Sequence, residues 1–134
     1  MEIREYKKED AKELLDLFNK CFNYDYKVID MKPTGMIFVV ALDNKIIGMA
    51  TIDILNDIFK NIKYGYVNNV CIDPDYQGQG LSKKLMNKIS EYGISNNLEY
   101  IMLTSNKKRI AAHGLYKSMG YEIVDTCVFK KYMK

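Results

Sequence analysis

"DPDYQGQGLSKKL", residues 73–85, joins a strand-forming run to an amphipathic helix. The chain has 8 glycines in all, and Gly78 and Gly80 stand almost together here. Ahead of them, "KYGYVNNVCI" reads as a strand over roughly 63–72, stopped by the Asp-Pro pair at 73–74. Behind them, Leu81, Leu85, Ile89 and Tyr92 fall on one face of a helix running to about Asn96. Strand, glycine turn, helix is an arrangement that binds phosphate. The first helical N–H groups lack partners and sit at the positive end of the helix dipole. Glycines remove the Cβ atoms that would keep a pyrophosphate away. The loop is not GxGxxG, because Lys83 takes the third glycine's place, and no GxxxxGK[ST] is present. By itself it fits a ligand-free glycine turn as well.

Outward from the loop, "MEIREY" alternates as a short strand. From Lys8, the residues Ala11, Leu14, Leu15 and Phe18 mark an amphipathic helix. "NYDYKVIDMKPTG" is irregular. "MIFVVAL", "DNK" and "IIGMATIDIL" read as a hairpin turning at Asp43-Asn44. "EYIMLT" reads as a buried strand. "KRIAAHGLYKSM" reads as a helix with Ala111, Leu115 and Met119 on one side, ended by Gly120 as a left-handed C′ residue. "YEIVD" and "TCVFKKYM" are expected as the last two strands. Strands and helices alternate only in the second half, so the predicted class is α/β (α+β), with a mixed central sheet flanked by helices.

The length of 134 residues suits a single domain over 1–134. No apolar run is long enough to span a membrane, and the N-terminus lacks a signal-peptide core, so a cytoplasmic location is expected. Cys21, Cys71 and Cys127 are dispersed, without a CxxC, and His113 is the single histidine. That leaves little from which to build a disulfide framework, a zinc site or a chymotrypsin-like triad, and no metal is expected. A net charge of +3 suits an anionic small molecule and is too weak to argue for nucleic acid.

Residues 67–85, "VNNVCIDPDYQGQGLSKKL", resemble motif A of the GNAT superfamily of N-acetyltransferases, Q/R-x-x-G-x-G/A after a strand. Here the motif is Gln77-x-x-Gly80-x-Ser82, with Ser82 departing from the usual Gly or Ala. "HGLYKSMGYE", residues 113–122, resembles the family's second signature, and the element order is similar over nearly the full chain. The resemblance implies acetyl-CoA as acyl donor, an amine as acceptor, and two parallel strands that splay to admit the pantetheine arm. Carried over by position, the backbone N–H groups of Gln77, Gly78, Gln79, Gly80, Leu81, Ser82 and Lys83 would hold the pyrophosphate. Val70 and Ile72 would pair with the arm as an added strand does, and Asn106 would hydrogen-bond it. Lys83, Lys84 and Arg109 are candidates for neutralising phosphate, or are solvated surface charge.

Acyl transfer asks for an oxyanion donor, help for the leaving thiolate, and a neutral amine. A strand N–H near Val70 or Ile72 is the candidate oxyanion donor. The family pattern places Tyr116 at the thiolate, where the other reading is a packing tyrosine. A phenol of pKa ~10 gives up its proton reluctantly to a thiolate whose acid has pKa ~8.5, so Tyr116 would stabilise that charge as much as protonate it. Many family members carry a glutamate on the strand before motif A, where this chain has Asn68. Asn68 cannot take a proton, so a water chain ordered by Asn68 is the expected substitute, with Asp53 as the other candidate. Cys71 is read as a buried hydrophobe, because direct transfer needs no nucleophile. Phe22, Tyr24, Asp25, Tyr26 and Asp30 suit a cationic amine, or make an ordinary tyrosine-rich loop. The competing class is a non-catalytic acyl-CoA-binding domain on the same fold. A homodimer is left open.

Overall fold

The computed structural model describes residues 1–27 and 33–134. It divides into two compact units, Met1–Thr104 and Ser105–Lys134.

In the first unit, β1 (Glu2–Glu5), β2 (Met36–Leu42), β3 (Lys45–Asp57), β4 (Ile62–Ile72) and β5 (Ile101–Leu103) form one sheet in sequence order. The neighbours β1 to β4 pair antiparallel, and β4 pairs β5 parallel, so the sheet is mixed as expected. Between β1 and β2 lie a 3-10 turn at Lys8–Asp10 and helix α1 (Ala11–Phe22). Helix α2 (Leu81–Ser95) connects β4 to β5, as a parallel pair requires. The β2–β3 turn runs through Asp43, whose φ of 54° is one that Asp tolerates.

The helices take opposite faces. Leu14 and Leu17 of α1 pack with Val39, Ala41, Ile46, Met49 and Cys71. On the other face, Leu81, Leu85, Met86 and Ile89 are buried at the helical spacing read from sequence, and the Tyr92 ring meets Phe38 edge-on at 5.6 Å. Removing apolar surface from water on both faces is the main stabilising term. Arg4 on β1 donates to both carboxylate oxygens of Asp10, at 2.8 and 3.0 Å, and ties the first strand to the start of α1.

Two expectations fail here. "EYIMLT" is a strand only over Ile101–Leu103, and Met102 is exposed. Its pairing ends early because β4 turns away from it, as described below. Residues 121–134, expected as two strands, form no regular secondary structure and are exposed from Glu122 onward. Alternation and β-branched residues make a strand only where a ladder takes up the backbone groups, and these residues join none.

The second unit contains α3 (Ile110–Ser118). Gly120 ends it at φ 92°. The Gly120 N–H donates to Lys117 O at 3.1 Å and the Tyr121 N–H to Tyr116 O at 3.0 Å, which is the paired-bond cap expected of a C′ glycine. The buried side of α3 is centred on Tyr116, with Ala112 and Met119 half-buried, while Ala111 is exposed.

Candidate active site

Strand β4 is paired to β5 only from Gly65 to Val67. The Gly65 N–H donates to Tyr100 O at 3.0 Å, on the β5 side, and the Asp73 N–H to Ile47 O at 2.8 Å, on the β3 side. In an unbroken strand, residues an even number apart face the same edge. These two face opposite edges because one extra residue is inserted between them. The β3–β4 register passes from Thr51↔Asn68 to Met49↔Cys71, and Asn69 sits at φ 54°. This bulge turns the backbone groups of Val70 and Ile72 to the edge that β5 has left. The pairing with β5 ends after three pairs, and β4 runs on past it to Ile72.

Two side-chain bonds hold the end of β4. Gln77 Nε2 donates to Ile72 O at 3.3 Å, and Cys21 Sγ approaches the same carbonyl at 3.6 Å. Both engage the Ile72 carbonyl and neither engages an N–H, so the N–H groups of Val70 and Ile72 are the donors on this edge. Cys71 is buried in the α1 core. Burial of Cys21 raises its thiol pKa, but the hydrogen bond from Cys71 outweighs this and holds it below the usual value.

The loop that follows is anchored from below. Asp73, 2% exposed, accepts the Asp75 N–H at 2.9 Å and opens a 3-10 turn at Pro74–Tyr76. Lys20 of α1 reaches Asp73 at 2.8 Å and Asp75 at 2.9 Å. Burial pushes the Asp73 carboxyl up, but Lys20, the Asp75 N–H and Lys45 together bring it below its ordinary value. Asp10 is lowered too, first by its bonds from Arg4. Carboxyls that titrate lower in the folded chain stabilise it fully above about pH 4–5, and that contribution is lost as pH falls below about 4. Thermal melts should therefore show stability declining in acid, with a shallower decline in Asp73→Asn and Asp10→Asn; an unchanged slope in both would rule out this role.

Gly78 at φ 82° and Gly80 at φ 73° carry the chain into α2, and a Cβ at either would meet nothing within 4 Å. Both are required by conformation, and the space in front of both is open. Gly80 is the N-cap and offers no side-chain cap, so the first α2 N–H groups, Leu81 to Lys83, point out of the helix. The Leu81 side chain is buried, which leaves its N–H as its contribution to the loop. Lys83 and Lys84 are exposed. The first unit thus brings Asn68, Val70, Ile72 and 77–83 together along one strand end and one helix start. Its open loop and open edge fit a pyrophosphate joined to an extended polar arm.

Asn106, Arg109 and Tyr116 belong to the second unit. Asn106 Oδ1 accepts the Lys108 N–H at 2.9 Å, a turn that precedes α3, and Arg109 is the α3 N-cap. Burial raises the Tyr116 pKa above 10, opposed by the Arg109 charge, so the hydroxyl keeps its proton at neutral pH. The Tyr116 and Tyr121 rings lie 5.8 Å apart.

In the tyrosine-rich segment, Asn19 clamps Tyr26 through Nδ2 to its carbonyl at 2.9 Å and Oδ1 to its N–H at 3.1 Å. The Phe18, Tyr24 and Tyr26 rings cluster in mutual contact, with centroids 5.1 to 6.1 Å apart, and Asp25 pairs with Lys27 at 2.8 Å. Asp30 lies outside the described residues. Among the described residues no helix is long and apolar enough to cross a membrane, and no group of three or more His, Cys, Asp or Glu is placed to hold a metal ion.

A mixed sheet with a glycine loop that opens a helix beside an unpaired strand edge is an arrangement suited to an extended, phosphate-bearing ligand. The profile of the Acetyltransferase (GNAT) family matches residues 2–121. The chain belongs to the GNAT family of acetyltransferases, a family that transfers an acyl group from acetyl-CoA to an amine. It is 29% identical over 101 residues to an N-acetylaspartate synthetase of Danio rerio, covering 75% of this chain and 34% of that protein. The chain thus spans about a third of the length of that relative. A putative acetyltransferase from Agrobacterium tumefaciens has the same fold, with TM-score 0.87 at 20% identity, over 98% of this chain and 100% of that one. An aminoglycoside acetyltransferase from a soil metagenome, solved in complex with trehalose, superposes with TM-score 0.85 at 21% identity, over 99% and 95%.

Proposed function

We propose that residues 1–134 act as one N-acetyltransferase domain, moving an acetyl group from acetyl-CoA to an amine by direct attack within a ternary complex. The observation that carries this reading is the junction of β4 and α2, where an unpaired strand edge runs into a glycine loop backed by helix N–H groups. The N–H groups of 77–83 bind the pyrophosphate, and the edge at Val70 and Ile72 takes the arm as a strand takes a neighbour. Asn106 and Arg109 add contacts to the arm and phosphates.

In the transfer, the neutral amine forms a bond to the thioester carbonyl carbon and the carbon–sulfur bond breaks. The Val70 N–H stabilises the charge on the carbonyl oxygen. The Tyr116 hydroxyl bonds to the departing sulfur. Cys71 supports direct attack over an acyl-enzyme, because its thiol faces the α1 core and not the open edge. Water ordered by Asn68, exposed beside the bulge, carries the amine proton away. No metal takes part in this route.

Thiol release from acetyl-CoA across a panel of primary amines tests the reading. The panel includes L-aspartate, the acceptor that the relatives' name suggests. Release that requires one of the amines is expected. CoA binding without release by any amine would instead support a non-catalytic acyl-CoA-binding domain.

A further inference from the structure

The sheet face that α1 packs on continues past Met49 along β3 and β4. Cross-strand partners share a face, so the pairs Thr51↔Asn68 and Asp53↔Tyr66 stand on it, with Tyr64 beyond. Tyr100 stacks on Tyr64 at 5.0 Å. The Tyr66 hydroxyl lies 3.3 Å from Thr104 Oγ1, bridging β4 to the end of β5 just where the strands part. Thr51, Asp53, Tyr64 and Tyr66 are half-exposed, and Asn68 is exposed.

Asp53 is held in place. Thr34 Oγ1 donates to its Oδ1 at 2.9 Å. Gly35 lies so close that a Cβ there would fall 2.5 Å from the same oxygen and closer still to Ile52 O. The other carboxylate on this stretch, Asp57, accepts the Phe59 and Lys60 N–H groups and serves the β3–β4 turn. Among the described residues, the strand positions of this face from Thr51 onward carry no Lys, Arg or His. A carboxylate beside tyrosine rings, with no Lys, Arg or His on this stretch of its face among the described residues, attracts positive charge.

Its position says which positive charge. From the Asp53↔Tyr66 pair to Val70 is about three strand steps of ~3.3 Å, or roughly 10 Å. A cation at Asp53 is then not the amine that attacks at the Val70 edge. We propose that Asp53 is a specificity-determining residue that holds a second cationic group of the acceptor, so that the preferred acceptors are di- or polyamines. This rests on the acetyl-transfer reading for the location of the reacting amine. An acceptor with a distal carboxylate, such as L-aspartate, would set like charges together.

The test compares 1,6-diaminohexane with hexylamine in the wild-type chain, Asp53→Asn and Asp53→Glu. It uses calorimetric binding to the CoA-loaded protein and kcat/KM with acetyl-CoA. The wild-type chain should prefer the diamine by about tenfold, a difference typical of one partly screened charge contact. Asp53→Asn, which keeps the shape and removes the charge, should erase the preference, and Asp53→Glu should retain part of it. No diamine preference in the wild type, a preference that survives Asp53→Asn, or preferred use of L-aspartate would overturn the proposal. Diamine binding that depends on Asp53 in a chain that releases no thiol would uphold the cation site while defeating the acetyl-transfer reading.

Discussion

Gly80→Val should weaken CoA binding by about a hundredfold or more. A phosphate accepting backbone N–H groups makes charge-assisted hydrogen bonds worth about 1.5–3 kcal/mol each, and losing two of them gives a loss of that size. The variant acts in two ways. At φ 73° a β-branched residue is strained, so the loop is pushed out of the conformation that aims its N–H groups. The added side chain also projects into the open space where the anion would lie. Because that space is empty of protein, the residue displaces nothing in the core, and the variant should fold. Gly80→Ala carries the same φ penalty with less bulk and should lose less. Calorimetry checks both in protein shown by circular dichroism to be folded. Unchanged CoA affinity in folded Gly80→Val would remove the pyrophosphate from this loop.

Tyr116→Phe should lower turnover by about a hundredfold, the low end of what general acid catalysis commonly contributes. CoA affinity should stay nearly constant, because the ring remains and only the hydroxyl is lost. The raised pKa of Tyr116 sharpens this expectation. A phenol that holds its proton more tightly is a poorer proton donor but remains a hydrogen-bond donor past pH 10, ready for charge on the leaving sulfur. The loss should therefore appear in kcat and kcat/KM together, as for an interaction made in the transition state. It should shrink for a thioester whose thiol is more acidic. Wild-type activity should show no alkaline loss from Tyr116 below about pH 10. Full activity in Tyr116→Phe, with chemistry shown to limit the rate, would leave the residue as the packing partner of Tyr121.

The relation between chain and fold differs from feature to feature. Gly78 and Gly80, the buried spacing of Leu81, Leu85 and Ile89, the turn at Asp43 and the cap at Gly120 were all legible. Each depends on backbone freedom or side-chain periodicity within a few residues, and that is what local sequence encodes. The family pattern likewise named the loop, because its geometry is set by consecutive residues.

What only tertiary structure decided involves partners distant in sequence. The bulge at Asn69 exists because β4 pairs with β3 on both sides of one extra residue, and "VNNV" alone reads as uninterrupted strand. That register shift is what turns Val70 toward the open edge. Lys20 reaches Asp73 and Asp75 from a helix more than fifty residues earlier in the chain. Asp53 is legible in sequence only as a candidate for taking the amine proton, and its neighbours Thr34 and Gly35 come to it through the fold. Residues 121–134 show the converse: alternation suggested strands, but a strand is completed by its neighbour, and the chain's own pattern supplies only half of each hydrogen bond.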